Sequence, residues 1–217
     1  MDNLILNLVM TLGALILAVT VHEFSHVAMA RFLGDKTGEK MGRLTLDPFK
    51  HIDPLWTVAL PAILIIASSM SSGGMPIFAA GKPSPYNPSY LKRKIFGKVL
   101  PIRTAEALVA IAGPFSNLIM AFVCLAIVQY TGLSLLGLFQ PFIVLNVSLF
   151  VLNLIPVPPL DGAKVLTALL PYDMAQKYES FAPQLSLILL VALIFGGGAV
   201  VGYGVRMVLW GMSWLLI

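Results

Sequence analysis

The sequence predicts an all-α polytopic membrane protein: a bundle of about 4–6 membrane helices, with a re-entrant hairpin and a short β-element on the cytoplasmic side. Three observations carry this. Hydrophobic residues make up 58% of the 217 positions and charged residues only 11%, against about 25% charged in an ordinary soluble domain. The apolar residues fall in runs long enough to cross a bilayer. Polar chemistry inside one of those runs is spaced for a purpose rather than scattered. A soluble globule of this size lacks the polar groups to cover its surface, and a disordered chain would not be this apolar. One domain, residues 1–217, is expected, with a core over about 4–170 and C-terminal membrane segments over 184–217.

The first run, residues 4–32, reads as a retained membrane span, because no basic stretch precedes it and no small-residue cleavage site follows. Gly34 is its stop. Residues 35–53 are polar, and the weak alternation of 41–46 suggests a short strand. Residues 54–80 are apolar but broken by Pro61, a serine cluster and Gly73-Gly74. A proline-rich basic loop (81–101) leads to a clear span at 106–130, a short connection at 132–140 and another span at 141–154. That span runs into Pro156, Pro158, Pro159 and Gly162. Residues 171–183 read as a polar loop. Residues 184–217 read as one long span with an interfacial helix, or as two short spans. Cys124 is the single cysteine, which excludes an internal disulfide and a cysteine zinc cluster. Basic residues concentrate in 31–50 and 82–103; in a membrane protein such clusters report orientation and contact with anionic lipid. No recognition motif supports a nucleic-acid partner.

The chemistry lies in His22-Glu23-Phe24-Ser25-His26. On a helix His22 and His26 stand one turn apart on one face and can share a zinc ion. Glu23 is rotated about 100°, placed to serve as a base without ligating the metal. With three histidines and four glutamates in the chain, the accidental expectation for this pattern is about 0.0007. Ionisable groups within an apolar helix are costly and are read as functional. Catalytic zinc takes three protein ligands and keeps one position open. His51, Asp47 and Asp53 sit in the polar loop and read as solvated, and Glu106 suits the start of its helix. Asp161 follows three prolines that free backbone groups, which a membrane tolerates only beside a cavity or buried in protein. It is the candidate third ligand; it could also cap a helix beginning at Gly162. Asn117 and Asn153 either clamp substrate or its oxyanion, or bond between helices. Ser25 and Lys164 read as packing and interface positions.

HEFSH and the later NLIPVPPLDG together resemble the site-2 protease family of intramembrane zinc metalloproteases. GRLTLDPFKHIDPL (42–55), KPSPYNP (82–88) and AGPFSN (112–117) are similar to segments of its short bacterial and archaeal members, which carry no PDZ or CBS module. Trp56 departs from the pattern, standing where a glycine is common, and 71–81 is unusually rich in glycine and serine. The resemblance implies one Zn²⁺ per chain held by His22, His26 and Asp161, Glu23 as catalytic acid/base, and Asn153 as a substrate contact. It implies an intramembrane endopeptidase that hydrolyses peptide bonds in or near transmembrane segments with a zinc-activated water. The competing classes are a transporter or channel with a His/Asp metal or proton pathway, and a silent relative that binds membrane clients.

Topology follows from parity. His26 and Asp161 must share a depth, so their helices run the same way. With one clear crossing between them, 54–80 must enter and leave on one face. The positive-inside rule then places both basic segments in the cytoplasm, the N-terminus outside and the zinc site in the cytoplasmic half of a prokaryotic cell membrane. The expected partners are a membrane-protein substrate and the lipid bilayer. A substrate must be extended to expose its carbonyls, and strand addition against 41–46 or the open backbone of 153–160 would hold it so.

Overall fold

A computed structural model describes residues 2–70, 81–91, 94–95, 97–131, 134–193 and 198–215. The chain forms α1 (Asp2–Phe32), α2 (Thr37–Lys40), α3 (Leu60–Met70), α4 (Ile102–Tyr130), α5 (Leu136–Asn153), α6 (Asp161–Leu169), α7 (Tyr172–Ser180), α8 (Ala182–Ala192) and α9 (Gly198–Trp214). Among the described residues three helices are long and apolar enough to cross a membrane: 8–32 of α1, all of α4 and all of α5. The structure is therefore that of a mostly helical membrane protein.

Local chemistry explains the boundaries. Gly34 adopts φ 108°, Asp35 N–H donates to Ala30 O and Gly34 N–H to Arg31 O. This Schellman closure satisfies the carbonyls that α1 leaves open. Asp53 accepts from the backbone N–H groups of Leu55 and Trp56, capping a widened π-type turn over Pro54–Ala59 that continues into α3.

Three elements differ from the sequence reading. Residues 41–46 form a turn and bends rather than a strand. Gly42 reverses the chain at φ 68°, and the Thr45 hydroxyl takes the Asp47 N–H locally, leaving the alternation no partner strand. The pairing that does occur is a two-residue antiparallel hairpin, β1 (Lys94–Ile95) with β2 (Lys98–Val99). Residues 171–183 are mostly helical, because α7 needs no wide apolar stripe: only Ala175 is buried on it. The span read as 141–154 begins earlier, at Leu136, with Pro141 inside the helix. In the C-terminal region α8 and α9 are separate helices; Gly196-Gly197 between them lie outside the described residues.

Helix α4 is central, packing against α1, α5 and α6. Ala30 and Leu33 of α1 meet Ala105 and Val109 of α4, while Ala18 meets Asn117 further along, so the two helices are antiparallel. Asn117 bonds Asn146 of α5, and Ala110 shares a cavity with Asn153, so α5 is antiparallel to α4 and parallel to α1. Fully buried Ala14, Ala18 and Ala121 lie at these contacts, small enough to let the backbones approach closely. Outward, Val9, Leu17, Ile119, Val123 and Leu187 are exposed, as lipid-facing side chains should be.

One contact joins the two flanks of the segment after the first polar loop. Lys82 N–H donates to His51 O at 2.8 Å, so 52–81 leaves from and returns to the same point. The expected turn at Gly73-Gly74 lies outside the described residues. Beyond it, the loop 81–91 lies against the C-terminal end of α1: Asn87 N–H donates to the buried Asp35 carboxylate at 2.7 Å.

Candidate metal centre and active site

Three residues from two distant parts of the chain meet in the bundle. His22 Nε2 and His26 Nε2 are 3.0 Å apart, and Asp161 Oδ2 lies 3.2 Å from the first and 3.5 Å from the second. The histidines come from one face of α1, as their spacing requires. Asp161 arrives by another route: α5 ends at Asn153, 154–160 form a proline-rich turn, and Asp161 opens α6. Leu160 occupies the cap position, without a side-chain cap bond, so Asp161 is free of that duty and its carboxylate faces the imidazoles. Gly162 permits the sharp entry; a Cβ there would stand 2.4 Å from Leu154 O.

The hydrogen bonds behind the imidazoles decide what the cluster can hold. Asn146 Nδ2 donates to Phe142 O at 2.8 Å, which turns its Oδ1 toward Asn117. Asn117 Nδ2 donates to that oxygen at 2.8 Å and to Ala18 O at 3.1 Å, so Asn117 Oδ1 can only accept, 2.7 Å from His22 Nδ1. His26 Nδ1 faces Val109 O at 2.7 Å, again an acceptor. Both imidazoles therefore donate through Nδ1, and in their neutral forms each presents a lone pair at Nε2. Two lone pairs and a carboxylate oxygen converge, and the buried Asp161 Oδ2 has no hydrogen-bond donor of its own. A cation resolves this, and the donor set suits zinc. Ligands at 2.0–2.1 Å in a tetrahedron stand about 3.3–3.4 Å apart, within the observed spread of 3.0 to 3.5 Å. The residues fit the metal.

These atoms line a cavity of about 400 Å³, with Glu23, Ser84, Tyr86, Asn153 and Lys164 also on its wall. Glu23 Oε2 accepts the Ser84 hydroxyl at 2.6 Å. Glu106, at the start of α4, accepts from Tyr86 Oη at 3.3 Å and pairs with Lys164 Nζ at 3.7 Å. Burial, then the Glu106 carboxylate, raises the Tyr86 phenol above its ordinary value, so it remains a proton donor. Backbone proximity closes the site from α4: a Cβ on Gly113 would fall 2.4 Å from His26 Nε2 and 2.7 Å from His22 Nε2.

Of the residues read from the sequence, His22, Glu23, His26 and Asp161 are brought together, and Asn153 lies on the cavity wall, its Nδ2 donating to Leu149 O. Asn117 is not on the wall. It is fully buried behind His22, and its amide bonds tie α4 to α1 and α5. His51 also differs from expectation: it is completely buried, its Nε2 meeting Thr45 O, because its loop folds over it. Lys164, half exposed, pairs with Glu106 at the cavity rim. Asn146, Ser84, Tyr86 and Gly113 were not singled out by the sequence, since each matters only through a contact across the fold.

Intramembrane histidines and a carboxylate shaped for zinc, beside a glutamate, define a membrane-embedded metallohydrolase centre. Comparison with known proteins agrees. Residues 130–193 match the model of peptidase family M50. YwhC of Bacillus subtilis (strain 168), provisionally named a zinc metalloprotease, is 35% identical over 191 residues, covering 82% of this chain and 78% of its own length. Rip2 of Mycolicibacterium smegmatis, provisionally named likewise, is 26% identical over 198 residues, covering 86% of this chain and 66% of its own. No solved structure matches. The chain belongs to peptidase family M50, the site-2 proteases; it is an intramembrane zinc metalloprotease, and this reading is favoured over a transporter or channel.

Proposed function

We propose that His22, His26 and Asp161 are the zinc ligands, that Glu23 is the catalytic base and acid, and that the substrate is a membrane protein cut in or near a transmembrane segment. The convergence of two lone pairs and an unpartnered carboxylate oxygen beside Glu23 carries this reading. Bound there, zinc supplies Lewis acidity, making water a stronger acid and polarising the scissile carbonyl. Glu23 takes the proton of the attacking water and later delivers it to the departing amine. The Asn117–Asn146 chain and the Val109 carbonyl hold both imidazoles in one tautomer throughout. Asn153, on the wall, contacts the substrate backbone. The substrate lies extended, along the open backbone of 153–160, because a helical segment would keep its carbonyls in internal hydrogen bonds.

The same reading makes 54–80 a re-entrant hairpin; the Lys82–His51 bond, which joins its two ends, supports this. Of the 14 basic residues, only Arg206 lies outside 31–177, and the loop 81–91 lies against the C-terminal end of α1, beside the segment that follows it. Tyr130 and Trp214 are exposed at the ends of α4 and α9, as aromatic residues are at a membrane interface. The metal end thus faces the cytoplasm of a prokaryotic cell membrane and the N-terminus lies outside. The test is cleavage of a panel of tagged single-span membrane proteins by purified wild type and Glu23→Gln, with zinc measured in both. Cleavage should fall about 10²–10⁴-fold in the variant with zinc retained. Zinc without cleavage by the wild type across the panel would favour a silent, client-binding relative.

A further inference from the structure

Glu23 has a partner outside the metal cluster. The Ser84 hydroxyl lies 2.6 Å from Glu23 Oε2 and 2.9 Å from the Glu23 main-chain oxygen. Both are acceptors, so Ser84 is the donor. On the carboxylate's other side, a Cβ on Gly81 would stand 2.9 Å from Glu23 Oε1; the backbone of the same loop therefore limits where that oxygen can go. The loop is pinned at two points. Lys82 N–H donates to His51 O, and Asn87 N–H donates to Asp35 Oδ2, whose other oxygen takes the Thr37 backbone N–H and hydroxyl. Pro83 and Pro85 fix φ on either side of Ser84. A serine held between two prolines and two anchors has little freedom to leave the carboxylate.

We infer that Ser84 is a positioning residue for Glu23: the loop 81–87 is a strap whose Ser84 hydroxyl holds one carboxylate oxygen while the Gly81 backbone flanks the other, so that the carboxylate keeps a single orientation on the cavity wall. This rests on the assignment of Glu23 as the base. A carboxylate in a helix samples several rotamers, and only a held one stays within hydrogen-bond reach of the water. Ser84 touches neither the metal ligands nor, in this role, the substrate, so its effect falls on turnover.

The decisive comparison is Ser84→Thr against Ser84→Val, side chains of equal shape that differ in the hydroxyl, together with Ser84→Ala. Each is purified, its zinc content and thermal midpoint are measured, and kcat and KM are determined on whichever tagged single-span membrane protein the wild type cleaves. We expect Ser84→Val and Ser84→Ala to lose kcat about 10–100-fold, with KM and zinc content unchanged, and Ser84→Thr to recover most of it. Adding Ser84→Ala to Glu23→Gln should cost nothing further, since the serine acts through the glutamate. Equal kcat for the Thr and Val variants would overturn the inference. So would loss of zinc or of folded protein by Ser84→Ala, which would make the serine a structural part of the loop. A wild type that cleaves nothing, or a fully active Glu23→Gln, would instead sink the assignment of Glu23 itself.

Discussion

The two halves of the metal cluster are built in different ways. His22 and His26 sit mid-helix in α1, and everything that orients them is inside the bundle: a carbonyl of α4, an asparagine of α4 and, behind it, an asparagine of α5. Asp161 stands at the junction of a turn and a short helix. That turn is held from outside, by Tyr178 Oη on Pro156 O at 2.6 Å and by Ser186 Oγ on Pro158 O at 2.9 Å. The histidine half is oriented entirely from within the bundle; the aspartate half depends on contacts that α7 and α8 make to its turn. Preorganised donors lower the entropic cost of binding, while a ligand on a turn lets the site close on the metal.

This contrast can be broken or sharpened by four substitutions of decreasing effect. Asp161→Ala removes the proposed third ligand, and zinc measured by atomic emission should fall to near zero with loss of cleavage. Asn117→Ala leaves all three ligands but frees the His22 tautomer. Competition with a chelating dye should show zinc affinity weakened by about 10–100-fold, the usual cost of losing a ligand's outer partner. Asn146→Ala removes the next link only, and its loss should be smaller than that of Asn117→Ala. Equal losses would mean that the two asparagines act as one unit. Smallest is Tyr178→Phe, which takes one hydrogen bond from the turn and should cost about 0.5–1.5 kcal/mol. Faster hydrogen exchange confined to 154–160, with α1 protection unchanged, would place the looseness on the aspartate side. Faster exchange in α1 as well would show the halves to be coupled.

What the sequence made legible follows the same division. HEFSH is readable because helical spacing alone puts its histidines on one face. Asp161 is readable because prolines and a carboxylate in an apolar context need a reason. The long apolar runs marked α1, α4 and α5 for the same elementary cause, the length needed to cross a hydrocarbon layer. Residues whose meaning is a contact were hidden. Asn117 and Asn146 are 29 positions apart and Ser84 is 61 from Glu23, and no local pattern links them. His51 read as solvated because its neighbours are polar, yet the loop closes over it. Segment 171–183 read as loop because polarity without an apolar stripe looks the same in an exposed helix. Residues 41–46 show the reverse error: three alternations are too few to outweigh Gly42.

The central claim is most directly tested by X-ray absorption at the zinc edge on purified protein, alongside metal content. The account predicts one zinc per chain with two imidazole nitrogens and a carboxylate oxygen in its shell, and a shell or content that collapses in Asp161→Ala. A wild type purified without zinc, or an Asp161→Ala variant with the same content and the same shell, would contradict it.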